Sequence, residues 1–308
     1  MGGRRGHHLP ERHHRRQHHH RRGQRGHQIH PRQRLCRRQP LPRHPRIVVT
    51  GAVPFFTTAG HRLFYREQGA GPLLLILPGN TASSAHHAAD LAYWGARYHA
   101  VSIDFWGTGQ SDRLGHWPTD WWAQGARDAV ALIEHLGEDQ AIVMGTSGGG
   151  IIALLAASHH PDRICAAIAD SCVAHWPLKA IRAAIDLRNL RTPDQIAFWR
   201  GAHGDDWAQV IEADGDMLLR FGAATGGDIF GGRLGQIRCP VLITASRADS
   251  ALPEVEAEAH WLATQMPGAQ LHLSDAGDHP FMWSNAAEFR RVAEEFLRGL
   301  SAATAAPA

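Results

Sequence analysis

One short passage restricts this chain more than any other. Residues 141–144 form an apolar run of strand type, Gly145-Thr146-Ser147-Gly148-Gly149 follows at once, and residues 151–158 read as an apolar helix. A strand that turns into a helix this tightly holds its central residue in a strained conformation, and glycines flank that residue because side chains there would clash. Such a turn lifts the Ser147 hydroxyl clear of the sheet. It also places the Gly148 N–H at a helix N-terminus, where developing negative charge is favoured. A phosphate-binding loop is the other use of clustered glycines, but it wants Lys after them, and here Gly150-Ile151 follow. Ser147 is therefore the candidate nucleophile.

Around this turn, apolar runs alternate with helical patterns. Residues 55–57 and 62–66 suggest a hairpin. Leu73-Leu74-Leu75-Ile76-Leu77, ending at Pro78-Gly79, suits a strand buried on both faces. A helix is expected over about 84–97 and a strand over 100–103. Trp122, Ala126, Ala129, Ile133 and Leu136 recur at spacings of four and three, one face of a helix that Thr119 or Asp120 would cap and Gly137 would end. Further strands are expected at 164–169, 241–244 and around Leu271 and Leu273. Helices are expected from Pro253 to about Pro267-Gly268, and again after Asn285 and Glu288, a possible capping box, with Phe289, Val292, Phe296 and Leu300 on its inner face. This alternation predicts an α/β fold, a mostly parallel central sheet with helices on both faces. From 175 to 236 no strand is legible. That stretch, with Trp176, Trp199, Trp207 and Phe221, reads as a helical cap inserted between core segments 47–174 and 237–308.

Charge divides the chain. Residues 1–46 hold 14 arginines, 10 histidines and one acid, Glu11, and residues 47–308 hold 18 basic against 28 acidic side chains, a net of −10. With almost no apolar residues, segment 1–46 reads as a disordered tail, and no apolar stretch follows Arg4 and Arg5 as a secretory signal would require. Three uses of the tail compete: a nucleic-acid-binding arm, metal binding through its histidines, or a segment foreign to the natural protein, which is the favoured reading. The acidic charge of the body argues against nucleic acid as a partner, and no membrane is expected because no apolar run reaches the roughly 18 residues a span needs. Cys36, Cys165, Cys172 and Cys239 form no CxxC pair and no zinc-type spacing. A cytoplasmic location is the expectation.

A serine nucleophile needs a base and an acid behind it. Of the 13 histidines in the body, His279 is best placed, in Asp275-Ala276-Gly277-Asp278-His279-Pro280 after the last strand. Loops there lie at the carboxyl ends of the strands, where ligands bind in open α/β sheets. Asp249, after the strand at 241–244, is the expected acid, and Asp170 is its rival. The order Ser, Asp, His along the chain is that of one hydrolase architecture. The turn Leu77-Pro78-Gly79-Asn80-Thr81 offers the Asn80 N–H as a second oxyanion donor beside that of Gly148.

These segments, with Asp-Phe-Trp-Gly-Thr-Gly-Gln-Ser-Asp at 104–112 and Gly-Asp-His-Pro at 277–280, resemble the α/β-hydrolase superfamily with a helical cap, in the family's order over almost all of 53–300. The resemblance implies that 104–112 shapes the active-site floor without being catalytic. Pro78 departs from the His that many members carry before the Gly. Candidate substrate contacts are Thr146, Trp106, Trp176 and Trp199; the tryptophans hint at an apolar or aromatic substrate, and packing serves equally well to explain them. The expected activity is hydrolysis of a small ester-like molecule through an acyl-enzyme, with no metal or organic cofactor. Thioesters, lactones, carbon–carbon bonds beside carbonyls and perhydrolase chemistry suit the same residues, and a non-catalytic receptor on this fold is the rival of another class. Oligomeric state leaves no trace in the sequence.

Overall fold

The computed structural model describes residues 54–252 and 254–305. The expectations for the tail at 1–46 and for Pro253 fall outside the described residues.

The sheet has eight strands: β1 (Phe55–Thr58), β2 (His61–Gln68), β3 (Leu73–Leu77), β4 (His99–Ile103), β5 (Ala141–Thr146), β6 (Ile164–Asp170), β7 (Val241–Ser246) and β8 (Gln270–Ser274). Their order across the sheet is β1-β2-β4-β3-β5-β6-β7-β8. The hairpin β1–β2 and the pair β2–β4 are antiparallel, and every pair from β4 to β8 is parallel. Ala59 and Gly60 make the hairpin turn with φ of 47° and 84°, a doubly left-handed turn whose twist matches the strands it joins.

The sheet is buried on both faces, as the unbroken apolar runs require. In β3, Leu73, Leu75 and Leu77 enter one core cluster while Leu74 and Ile76 enter the other. Each such side chain, fully buried, contributes about 1.5–3 kcal/mol relative to exposure. Helices α1 (Ala88–Trp94) and α9 (Ala286–Ala305) cover one face, the latter through Phe289, Val292 and Phe296. Helices α2 (Trp121–His135), α3 (Gly148–His159) and α7 (Val255–Gln265) cover the other. Because β4 and β5 flank β3, the chain leaves β3 toward one side of the sheet and later returns to its other side. A crevice opens at such a switch, beyond the carboxyl ends of the strands, and here the turns after β3 and β5 border it.

Some local expectations are revised. The helix foreseen over 84–97 is a 3-10 turn, Ser84–His87, followed by the short α1, and Ser83 and His86 close a capping box ahead of it. Asp120 precedes α2, but its carboxylate turns to Arg127 (3.0 Å) rather than to the helix N–H groups. The Asn285 amide donates to Glu288 (2.7 Å), and that carboxylate also accepts from Ser274 and His272, so the pair ties α9 to β8.

Between β6 and β7 the described chain is helical: α4 (Leu178–Asn189), α5 (Pro193–His203) and α6 (Trp207–Thr225), then a 3-10 turn Leu234–Gln236. Helix α6 is anchored by Val210, Met217, Leu218 and Phe221 in the main core, whereas α4 buries only Ile181 fully. These helices dock on the loops after β3 and β4. Trp199 Nε1 donates to Thr81 Oγ1 (3.3 Å), and the Gly109 N–H donates to His203 Nδ1 (3.0 Å). Arg113 pairs with Asp206. The last helix before α9 is one turn, α8 (Phe281–Ser284). Among the described residues no helix is long and apolar enough to cross a membrane.

Candidate active site

Ser147 sits between β5 and α3 with φ 54° and ψ −124°. For a non-glycine residue this conformation costs on the order of 1–3 kcal/mol and persists only where its surroundings enforce it. They do so here: the Ser147 N–H donates to the Asp170 carbonyl of β6 (2.8 Å), and the Ser147 carbonyl accepts from Gly150 N (2.9 Å). The glycine beyond the turn is required by a close approach, since a Cβ on Gly149 would lie 2.0 Å from the Leu77 carbonyl oxygen.

His279 lies on the loop between β8 and α8, and its Nε2 is 3.1 Å from Ser147 Oγ. Its Nδ1 is 2.8 Å from Asp249 Oδ2. The Asp249 side chain is fully buried, and its other oxygen accepts from the N–H groups of Ala251 (3.0 Å) and Leu252 (2.9 Å). Because that carboxylate can only accept, His279 carries its proton on Nδ1 and offers a bare Nε2 to the serine. The two loops are stitched together by Asp278, whose Oδ1 accepts from both Ser250 N (2.8 Å) and His279 N (2.7 Å). Those bonds, Ser250 first, hold the Asp278 carboxyl below its usual range. Asp170, the rival acid, has other partners: Thr244 Oγ1 (2.7 Å), Thr146 Oγ1 (2.9 Å) and Met282 N (3.0 Å). Burial pushes its pKa up to about 6, against the opposing pull of those hydrogen bonds.

Asn80 lies on the turn after β3, next to the serine turn. A Cβ built on Gly148 would stand 3.0 Å from the Asn80 nitrogen, and one on Gly79 would stand 3.0 Å from Ser147 Cβ. Gly148 opens α3, so its N–H has no acceptor within the helix. The four remaining candidates have these neighbours. Thr146 is bound to Asp170. Trp106 stacks on His61 (4.0 Å between ring centroids), which pairs with Asp128 of α2. Trp199 is buried, bonded to Thr81 and stacked on Trp207 (5.6 Å). Trp176 is half-buried, with its ring 6.5 Å from that of Trp122.

Two roles were not visible in the sequence. Asp104 is the hub of the 104–112 turn: its carboxylate accepts from Ser84 N and Gln110 N, both at 2.7 Å, and burial raises its pKa. Asp214 of α6 accepts from the Asn80 side chain (2.6 Å) and pairs with Arg188 of α4. The Asp214 contact joins residues 134 positions apart, so no local pattern announces it. Among the described residues no group of three or more His, Cys, Asp or Glu side chains is placed to hold a metal ion.

A serine turn, a histidine loop and an acid loop thus gather at the carboxyl ends of β5, β8 and β7, and comparison with known proteins gives the class of protein. The chain belongs to the α/β hydrolase fold family, whose model matches residues 72–191, and it is a hydrolase. It is 30% identical over 254 residues to the serine hydrolase BPHL of Mus musculus, a match covering 78% of this chain and 84% of the relative. It is 24% identical to the 2-hydroxy-6-oxononadienedioate/2-hydroxy-6-oxononatrienedioate hydrolase of Burkholderia vietnamiensis (strain G4 / LMG 22486), over 77% of this chain and 91% of that one. The crystal structure of the enol-lactonase from Burkholderia xenovorans LB400 superposes with a TM-score of 0.62 at 18% identity, covering 80% of this chain and all of the other.

Proposed function

We propose that this hydrolase cleaves carboxylic esters through an acyl-enzyme on Ser147, with His279 as base and Asp249 as its orienting acid. The observation that carries the reading is the chain of contacts from Ser147 Oγ to His279 Nε2 (3.1 Å) and from His279 Nδ1 to Asp249 Oδ2 (2.8 Å). His279 takes the hydroxyl proton as Ser147 attacks the carbonyl carbon. The N–H groups of Gly148 and Asn80 hold the oxyanion, each such donor being worth about 3 kcal/mol in the transition state. His279 then protonates the leaving alkoxide and the alcohol departs. Water, deprotonated by His279, attacks the acyl-enzyme, and collapse of the second tetrahedral intermediate frees the acid and restores Ser147. Asp249 stays ionised and stabilises the imidazolium. The helices between β6 and β7 act as a cap over this edge, supported by their docking on Asn80, Thr81 and Gly109.

An ester is the first choice because its leaving group asks least of the base. A lactone is an internal ester and follows the same steps with the leaving alcohol retained in the product. Labelling with a fluorophosphonate tests the reading, since the probe needs an activated serine rather than the natural substrate. The adduct is expected on Ser147, and both labelling and ester turnover are expected to vanish in Ser147→Ala and His279→Ala proteins that melt like the wild type. Undiminished hydrolysis in either variant would overturn the assignment.

A further inference from the structure

The turn that carries Asn80 is held by the inserted helices as well as by the sheet. Asn80 Nδ2 donates to Asp214 Oδ1 at 2.6 Å, and Trp122 Nε1 donates to Asn80 Oδ1 at 2.8 Å. An ionised carboxylate only accepts and an indole N–H only donates, so these partners fix which way the Asn80 amide faces. The same Oδ1 overlies the start of α3, where a Cβ on Gly148 would come within 1.8 Å of it. Side chains from α2 and α6 thus clamp the residue whose backbone N–H, on the reading above, meets the oxyanion.

Such a clamp raises an electrostatic problem. Asp214 has no exposed side-chain surface, and its carboxylate is one amide away from the place where negative charge develops. In a buried, low-dielectric setting, like charges at that range oppose each other strongly. Arg188 meets the problem, because its Nη1 pairs with the second oxygen of Asp214 from the neighbouring helix α4. Helix α4 reaches α6 closely because Gly222 and Gly215 face Ile181 and Ile185; a Cβ on Gly222 would stand 2.8 Å from Ile181 Cδ1.

We propose that Asp214 and Arg188 are positioning residues of this active site: Asp214 fixes the Asn80 turn in its oxyanion-binding geometry, and Arg188 cancels the Asp214 charge that would otherwise oppose the oxyanion. The inference rests on the serine-hydrolase reading and adds that the inserted helices complete the oxyanion site. It also explains why a buried ion pair sits where α4 has little else to anchor it, since Ile181 is its one fully buried side chain.

The test uses the full chain at pH 8 with p-nitrophenyl butyrate, a neutral ester, and reads kcat and KM separately, with fluorophosphonate labelling and melting of each variant. Asn80→Ala leaves the Asp214–Arg188 pair in place and is expected to lower kcat about 10- to 100-fold with little change in KM, the pattern of a weakened transition-state contact. Arg188→Met is expected to lower kcat in the same way, and adding Asp214→Asn to it is expected to restore most of the loss, because the unbalanced charge goes. A merely structural clip would make that double variant the worse of the two. Full kcat in Asn80→Ala, or a double variant no faster than Arg188→Met, overturns the proposal, and if Arg188→Met does not fold, Asn80→Ala decides alone. Wild-type protein without an adduct on Ser147 would instead overturn the hydrolase mechanism itself, so the two failures are distinguishable.

Discussion

Asp170 ends β6 and Asp249 follows β7, and their surroundings differ. Asp249 accepts two backbone N–H groups on one oxygen and His279 on the other. Asp170 takes two threonine hydroxyls and one backbone N–H in full burial, and desolvation lifts its pKa to about 6. In the unfolded chain an aspartate titrates near 3.9, so between about pH 4 and 6 the folded protein keeps a proton that the unfolded chain has released. The contribution of Asp170 to stability is therefore greatest below about pH 4 and falls as the pH rises, by about 3 kcal/mol once pH 6 is passed. An Asp170→Asn protein escapes that loss. Urea unfolding should show it gaining about 3 kcal/mol on the wild type between pH 4 and pH 7. A difference independent of pH would mean that the Asp170 carboxyl titrates alike in both states. Chain order does not separate the two, since both fall between Ser147 and His279; it is Asp249 that lies 2.8 Å from His279 Nδ1. The role Asp170 does play, tying β5, β7 and α8 together beneath the nucleophile, was not legible in the sequence, because its partners Thr146, Thr244 and Met282 are distant in sequence and carry no motif.

At the scale of elements, the stretch β5–turn–α3 was the easiest to read, since apolar strand, flanking glycines and apolar helix are all local signals. It is also the least tolerant. A methyl group on Gly149 would press within 2.0 Å of the Leu77 carbonyl oxygen and 2.7 Å of the Pro78 carbonyl oxygen, both rigid backbone of β3 and the turn after it. Gly149→Ala should therefore push α3 and the Asn80 turn apart and lower ester turnover by at least about 100-fold, the penalty an ångström of misplacement can bring. Gly115→Ala, where an added Cβ meets nothing within 4 Å, is the control and should leave turnover intact. Equal activity in the two variants would show that the close approach at Gly149 is not needed. The helices were legible where apolar spacing repeats, as in α2, and less so where structure depends on neighbours. The helix expected over 84–97 starts as a 3-10 turn, Ser84–His87, and continues as α1 only to Trp94. The tryptophans expected as substrate contacts also have packing partners, as Trp199 has in Trp207 (5.6 Å), because an indole serves a core and a pocket with the same surface.

Across the whole molecule the charge is segregated: residues 47–308 carry 28 acidic against 18 basic side chains, while residues 1–46 carry 14 arginines and one acid. The residues of the proposed chemistry, Asn80, Ser147, Asp249 and His279, all lie in the acidic part, and so do Asp214 and Arg188. A polyanion is attracted to clustered arginines through the release of its counterions, and that attraction fades steeply with salt, whereas a net-negative body repels it. The two activities should therefore separate along the chain. A protein beginning at residue 47 should hydrolyse p-nitrophenyl butyrate with the kcat/KM of the full chain, and it should bind no short DNA duplex at low salt. The full chain should retard the duplex at low salt and release it as salt is raised. Both are read from purified protein, by spectrophotometry and by gel shift across a salt series. DNA binding that survives removal of residues 1–46 would place a basic surface on the body that its composition argues against, and a loss of hydrolysis on removal would make the arginine-rich segment part of the enzyme.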